Sequence, residues 1–258
     1  MFRYLSQLMT KTGVMASVGI IKLLHDPTEL ITRAVQPILW LCIFGEAMSQ
    51  VRAIPTQGFT YLQFITPGIL TQSVTFVAIF YGLDIIMERD MGLLQKILVT
   101  PTPRLALVWG KMLSASVRGV SQAIVIFILA LILHIQLRIT LYSILGVLIL
   151  IVLGASFFTG FSMIIASIVK TRERFMGIGQ TITLPLFFAS NAIYPISIMP
   201  PWLQVVANIN PLSYMVDGIR ALLLTGNGMG LVYDIIFLTV VTFGISVLCA
   251  YMYPKVVI

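Results

Sequence analysis

The stretch Leu141-Tyr-Ser-Ile-Leu-Gly-Val-Leu-Ile-Leu-Ile-Val-Leu-Gly-Ala-Ser-Phe-Phe-Thr-Gly-Phe-Ser-Met-Ile-Ile-Ala-Ser-Ile-Val169 contains no charged side chain. A helix needs about 20 apolar residues to cross the hydrocarbon core of a bilayer, so this stretch can cross it once. The rest of the chain is similar, because 59% of its 258 residues are hydrophobic and only 10% are charged. Soluble domains carry about 25% charged residues. We therefore predict an integral membrane protein.

Further apolar runs place the other helices along the chain. We predict an all-α membrane protein with a single domain, residues 1–258, and six membrane-spanning helices. The first run contains Arg33, whose long side chain can reach the interface while its stem stays in an apolar environment. The predicted spans are residues 30–48, 61–87, 105–133, 141–169, 175–192 and 231–253.

Residues 175–216 carry no charge, but prolines and asparagines interrupt them. Irregular backbone cannot face lipid, because its N–H and C=O groups would be unpaired. We therefore predict that the span 175–192 is followed by a re-entrant extracellular segment, 193–225, with short helices near Trp202–Ala207 and Pro211–Leu224. A second full crossing is the alternative. The interrupting residues are Asn191, Pro195, Pro200, Pro201, Asn208, Asn210 and Pro211.

The distribution of Lys and Arg predicts the orientation. With six spans, the N-terminal segment, the loops 88–104 and 170–174 and the C-terminus lie on one side, and they hold most of the basic residues outside the spans. Cytoplasmic loops carry such an excess. We therefore predict a multi-pass protein of the inner or plasma membrane with both termini in the cytoplasm. The net charge of +7 reflects this bias, and no nucleic-acid partner is expected.

The N-terminal segment, residues 1–27, has an amphipathic pattern. Lys11 and Lys22 are eleven positions apart and share one side of a helix. Phe2, Leu5 and Met9 lie on another side. The pattern predicts a helix that lies along the cytoplasmic interface, and a frayed tail is the alternative.

The loop 88–104 carries the pattern of a short amphipathic helix. Its first residues alternate in charge, and Pro101 and Pro103 end the helix. The apolar residues Leu93, Leu94, Ile97 and Leu98 follow the spacing of one helix face. This face needs a cover, which is either the membrane interface or a groove on a soluble partner.

Two motifs resemble ABC-2 type transporter permeases, and in particular their drug-exporter (daunorubicin-resistance-like) branch. One is Glu88-Arg-Asp-Met-Gly-Leu-Leu-Gln-Lys-Ile-Leu-Val-Thr-Pro101, followed by Trp109-Gly-Lys111, which is similar to the cytoplasmic loop of that family. The other is Ala192-Ile-Tyr-Pro-Ile-Ser-Ile-Met-Pro-Pro-Trp-Leu-Gln204, which continues into Asn210-Pro-Leu-Ser-Tyr-Met-Val-Asp-Gly-Ile-Arg220 and is similar to the family's extracellular segment before the last span.

The resemblance implies a permease that pairs with a separate ATP-binding cassette subunit. In the family, the loop helix docks on that ATPase and carries its movement into the membrane, so it is a coupling helix. The loop 170–174 would make a lesser contact, or would act only as a topology anchor. By position, the ATPase contacts would be Glu88, Arg89, Leu93, Leu94, Lys96 and Ile97.

The chain shows no phosphate-binding loop of its own. Such a loop ends in Gly-Lys-Ser/Thr, but Met112 follows Gly110-Lys111, and Leu105 stands where the first glycine belongs. We therefore predict that the chain is not an enzyme and binds no cofactor, and that the partner subunit holds ATP and Mg²⁺. With two Cys and two His, no metal site is expected. Six spans are few for an ATP-driven pathway, so a second permease is expected to complete it, either another copy of this chain or a homologue.

Polar residues inside spans are costly and mark candidate pathway positions. Ordinary packing between helices is the alternative explanation for any one of them. Arg118 lies deeper in the third span than Lys111 and is expected to pair with an acid or to reach the interface. The predicted substrate-pathway residues are Thr71, Gln72, Thr75, Phe76, Gln180, Thr183, Phe187 and Asn191.

These patterns favour export of a hydrophobic or amphipathic molecule, either drug-like or lipid-like. A polysaccharide or glycolipid exporter is an alternative within the same family. An ion-coupled secondary transporter would need acids or histidines near mid-membrane, but the acids of this chain lie near the ends of spans. A membrane enzyme would need convergent catalytic groups, which the sequence does not suggest.

Overall fold

A computed structural model describes residues 2–25, 27–49, 55–56, 58–94, 96, 103–169, 171–226 and 230–252. These residues are helical or lie in turns, with no strand among them. The helices are α1 (Phe2–His25), α2 (Pro27–Leu39), α3 (Glu46–Ser49), α4 (Tyr61–Asp90), α5 (Arg104–Ile132), α6 (Leu141–Ile168), α7 (Arg172–Phe188), α8 (Pro201–Ile209), α9 (Pro211–Arg220) and α10 (Leu231–Met252). Two π-helical stretches, Trp40–Gly45 and Ala221–Thr225, and a 3₁₀ turn, Ile196–Ile198, complete the described secondary structure.

Local sequence signals explain where several helices begin. Thr60 forms a capping box with Gln63 at the start of α4, which satisfies two backbone donors there. The Thr140 hydroxyl accepts a hydrogen bond from the Ser143 N–H at the start of α6. The Asn210 side chain caps α9, and Pro211 occupies its first turn, where a missing N–H costs nothing.

Four helices are long and apolar enough to cross a membrane: Tyr61–Asp90, Arg104–Ile132, Leu141–Ile168 and Leu231–Met252. They coincide with four of the six predicted spans. The predicted first span, 30–48, falls on the helical stretch from α2 through α3. The predicted fifth span, 175–192, falls on α7, which ends at Phe188 and has 17 residues, or about 25 Å of helix. The count of six spans stays a prediction.

Helix α4 is the centre of the bundle, and it packs against α5, α6, α7 and α9. In its most apolar stretch 78% of the residues are buried, compared with 17% in α10, which lies at the periphery. Gly68 permits one close approach, because a Cβ at this position would lie 2.2 Å from the Ala192 carbonyl oxygen. The segment after α7 is therefore packed directly on α4.

Helix α1 lies beside the N-terminal part of α5 and runs parallel to it. The Thr12 hydroxyl donates a hydrogen bond to the Ala106 carbonyl oxygen at 3.4 Å. Further along, Gly19 lies so close to Ser114 that an added Cβ would come within 2.3 Å of the Ser114 Oγ. The predicted position of this helix at the membrane interface is compatible with its exposed apolar residues, Met9, Val14, Val18 and Ile21.

Candidate functional site

Two ion pairs, one buried and one partly buried, join α4 to α5. Lys111 Nζ donates to the Glu88 carboxylate, and Arg118 donates to Asp84 Oδ2 at 3.0 Å. Both cations lie near the Tyr81 ring, with Lys111 Nζ 5.9 Å and Arg118 Cζ 5.0 Å from its centroid. Charges in an apolar interior are tolerated only when they are paired, so these contacts fix the register of the two helices.

The sequence analysis expected Arg118 to pair or to reach the interface, and the structure pairs it with Asp84. The pairing of Lys111 with Glu88 was missed. The available signal was the order of the charges on two consecutive, antiparallel helices. Asp84 precedes Glu88 on α4, whereas Lys111 precedes Arg118 on α5, so antiparallel packing brings each acid next to a base.

The loop that follows α4 turns back onto the bundle. Gly92 has φ of +69°, a left-handed conformation that glycine adopts at little cost. Leu94 is then fully buried in a cluster with Ile85, Val108 and Met112. This turn anchors the start of the predicted coupling helix against α4 and α5.

The predicted ATPase contacts therefore differ in how far their side chains are exposed. Glu88 and Leu94 are buried within the chain, so neither presents its side chain to a partner in this structure. Arg89 is mostly covered and donates a hydrogen bond to the Val169 carbonyl oxygen at 3.4 Å. Leu93 and Lys96 are exposed. Ile97 lies outside the described residues.

The two loops singled out by the sequence analysis meet at Asp90. Arg172 Nε lies 3.3 Å from Asp90 Oδ2, and Arg89 lies 3.3 Å from Asp90 Oδ1. Exposed ion pairs contribute little to stability, but these place the start of α7 beside the end of α4. Around them lies an exposed surface that we name the coupling face, which consists of Met87, Met91, Leu93, Lys96 and Arg172.

The predicted pathway residues on α4 point into the bundle. Thr71 and Thr75 are fully buried, and Gln72 is 4% exposed. The Thr71 hydroxyl donates to the Pro67 carbonyl oxygen at 2.9 Å. Phe76 is only partly buried, and its ring centroid lies 4.4 Å from that of Phe80. Of these four residues, Phe76 alone has substantial access to the outside of the chain.

The predicted substrate-pathway residues on α7 lie in two different environments. Phe175, Gly179, Thr183 and Phe187 are buried at every fourth position and form the face that packs against the bundle, whereas Gln180 is exposed. Helix α7 is therefore attached along one face, and its opposite face is open.

Asn191 lies in the turn beyond α7 and belongs to a partly buried polar cluster, in which the Asp217 side chain is 49% exposed. Its side-chain amide donates to Asp217. Arg220 donates to the carbonyl oxygens of Asn191 at 2.8 Å and Phe64 at 3.3 Å. Its guanidinium also lies 3.9 Å from the centroid of the Phe64 ring. The cluster fastens α9 to the start of α4, and the sequence analysis gave no such role to Asp217 or Arg220.

Burial lowers the pKa of Arg220 to about 10, and the Asp217 carboxylate opposes this shift. Arg220 therefore stays charged at neutral pH, and all of its described partners are acceptors or an aromatic face. Among the described residues, no group of three His, Cys, Asp or Glu side chains is arranged as metal ligands. The side chains in these clusters therefore hold neighbouring helices together through hydrogen bonds and ion pairs.

Comparisons with known proteins give matches that cover most of the chain. The family model described as ABC-2 type transporter matches residues 10–224. A putative transport permease, ycf38, of Cyanophora paradoxa is 32% identical over 206 residues, which cover 78% of this chain and 70% of that protein. The daunorubicin resistance ABC transporter permease protein DrrB1 of Streptomyces coeruleorubidus is 26% identical, with 77% and 70% covered. The inner membrane transport permease YadH of Escherichia coli K12 is 24% identical, with 74% and 73% covered.

Proposed function

Because this chain belongs to the ABC-2 type transporter family, we propose that it is the permease subunit of an exporter. In this proposal it moves a hydrophobic or amphipathic molecule, drug-like or lipid-like, out of the cytoplasm. A separate ATP-binding cassette subunit binds ATP and Mg²⁺ and supplies the energy. The permease lies in the cell membrane with both termini in the cytoplasm.

The observation that carries the proposal is the link between the coupling face and the interior of the bundle. The coupling face offers apolar side chains, with Met91 59% and Leu93 42% exposed, beside the cations Lys96 and Arg172. Directly behind it, the Glu88–Lys111 and Asp84–Arg118 pairs connect α4 to α5. A partner that pushes this face therefore acts on two long helices at once.

We propose different tasks for the residues of the loop. Leu93 and Lys96, with Ile97 and the partly covered Arg89, are the direct ATPase contacts in our proposal. Glu88 and Leu94 act as positioning residues, because they hold the loop on the bundle from within.

A second copy of the permease completes the pathway in our proposal, and the open face of α7 is where it packs. Gly177, Gln180, Thr181 and Leu184 are all exposed on this short helix. A helix with small and polar residues at its exposed face suits close packing against another helix within a membrane. Two identical faces can pack about a twofold axis.

The test begins with the affinity-tagged chain, purified from its native membranes together with its ATPase subunit. The complex is expected to hydrolyse Mg-ATP, and the permease alone is expected not to. Inside-out vesicles that contain the complex are expected to accumulate daunorubicin, an amphipathic probe, only when ATP is added. ATP hydrolysis by the purified permease alone, or accumulation without ATP, would contradict the proposal.

The coupling face is tested by Leu93→Glu, which places a carboxylate on its apolar part. We expect at least a tenfold loss of ATPase binding, because burying an unpaired charge at an interface is costly. The matched control is Ile198→Glu, since Ile198 is 50% exposed and lies in the segment between α7 and α8. Equal ATPase binding by the two variants would exclude this face as the docking site.

A further inference from the structure

A small polar niche lies between α2, α4 and α5. Its volume is about 160 Å³. Ser73 is near the middle of α4, and Gln122 lies well inside α5, so the niche is far from the ends of both predicted spans. Polar groups at such a depth are expensive, and they commonly mark a binding function. The lining includes Thr32, Arg33, Gln36, Ser73, Phe76 and Gln122.

Gln122 supplies an acceptor that the described part of the chain does not use. Its side chain is 1% exposed, and its Nε2 donates to the Arg33 carbonyl oxygen at 3.2 Å. A carbonyl can only accept, so this contact fixes which end of the amide is the nitrogen. The other end, Oε1, is buried and has no hydrogen-bond partner among the described residues. Leaving a buried acceptor unpaired is costly, so the site is suited to a donor from outside.

The other lining residues limit the kind of molecule that can supply this donor. The Ser73 hydroxyl already donates to the Ile69 carbonyl oxygen at 2.8 Å. Phe76 supplies an aromatic wall. Thr32 is exposed, so the niche extends from the surface of the chain inward.

We propose that the niche binds the hydroxyl-bearing polar group of an amphiphile, with Gln122 Oε1 accepting a hydrogen bond from the hydroxyl. The volume admits the polar end of such a molecule, while its apolar or aromatic body lies along Phe76 and the adjoining lipid. This inference rests on the proposed function, because it names the chemical class of the transported molecule.

The experiment compares two probes that differ by one donor, 2-naphthol and its methyl ether, 2-methoxynaphthalene. The purified chain in lipid nanodiscs is dialysed at pH 7 against each probe, and empty nanodiscs correct for partition into lipid. The wild-type chain is expected to bind 2-naphthol about fivefold more tightly, the effect of one hydrogen bond. A ratio near one would overturn the proposal.

Gln122→Met keeps the length of the side chain and removes the acceptor, so the ratio is expected to fall to about one. Ser121→Ala is the matched control, because Ser121 is the neighbouring residue on α5 and bonds to the Arg118 carbonyl oxygen away from the niche. Retention of the full preference by Gln122→Met would overturn the proposal.

Ser73→Leu provides a second variant in case Gln122→Met does not fold. It fills the niche without touching the bond between Gln122 and Arg33, and it is expected to weaken the binding of both probes more than fivefold. Unchanged binding would overturn the proposal. The binding assay uses no ATP. If the probes did not bind as expected although ATP-driven transport was observed, only the proposed niche would be refuted. Probe binding without any ATPase coupling would refute only the exporter function.

Discussion

Lys111 shows how much the position of a single charge matters in this bundle. It is almost fully buried, and its ammonium group is held by Glu88 and lies near the ring of Tyr81. Lys111→Met removes the ammonium group that pairs with the buried Glu88 carboxylate. We expect a loss of about 3 to 5 kcal/mol in the free energy of unfolding, measured in detergent.

Two further variants separate charge pairing from a loss of packing. The double variant Glu88→Gln/Lys111→Met removes both charges and is expected to recover most of the lost stability. Arg104→Met is the control, because Arg104 is an exposed cation on the same helix. If Lys111→Met were as stable as Arg104→Met, the ion pair would have no structural role.

Arg220 is a second residue whose role depends on its shape as well as its charge. Its planar guanidinium reaches two carbonyl oxygens and covers the Phe64 ring. Lysine cannot reproduce this geometry, so we expect Arg220→Lys to cost about 2 kcal/mol or more in unfolding free energy. The measurement is the midpoint of thermal unfolding. Arg138→Lys, at an exposed position, is expected to leave that midpoint unchanged.

The sequence predicts the partners of some buried charged residues and not those of others. The low share of charged residues and the long apolar runs indicate that a charge within a span needs a partner, and the structure pairs Arg118 with Asp84 as expected. The nearby acid Asp217 can be read from the sequence as a partner of Arg220, but Phe64 and Asn191 cannot, because they are distant in the chain. Their proximity depends on the turn after α7 folding back onto Gly68.

Among the elements, α1 offers a controlled test of helix packing. Gly13 and Gly19 lie on the same helix, but a Cβ at Gly13 would meet nothing within 4 Å, whereas a Cβ at Gly19 would collide with Ser114. Alanine favours a helix over glycine by about 1 kcal/mol. We therefore expect Gly13→Ala to stabilise α1 and Gly19→Ala to loosen it from α5.

Hydrogen exchange of the α1 amides in detergent measures this effect. Exchange is expected to slow in Gly13→Ala and to quicken in Gly19→Ala. Slower exchange in both variants would mean that the propensity of the helix, and not its contact with α5, determines its stability.

Long helices were predictable from the sequence because their apolar runs exceed the length of a crossing, as in 141–169. The end of α7 was harder to place. The charge-free run continues past Phe188, so hydropathy extends the predicted span to residue 192, while the chain turns at Ala189. The burial of Leu94 was also hidden, because its spacing matches a docking face and the turn at Gly92 redirects it inward.

At the scale of the whole molecule, the open face of α7 predicts how two copies meet. Thr181 is exposed near the middle of that face. In a chain with Cys42 and Cys249 replaced by serine, Thr181→Cys is expected to form an intermolecular disulfide in native membranes on mild oxidation. The measurement is a dimer band on non-reducing gels.

Ile236→Cys is the matched control for this crosslink. Ile236 is 57% exposed, but it lies on the peripheral helix α10. We expect no dimer from this variant. Crosslinking from Ile236 in place of Thr181 would move the seam between the copies from α7 to α10.

The paired charges of α4 and α5 also bear on how the chain is synthesised. Asp84 and Glu88 emerge from the ribosome before Lys111 and Arg118, so a nascent chain that stops after α4 carries two acids without their cations. These two carboxylates meet Lys111 and Arg118 only when α5 arrives beside α4. We therefore expect the two helices to leave the translocon together as a hairpin, with α4 remaining at the channel wall until α5 has been synthesised.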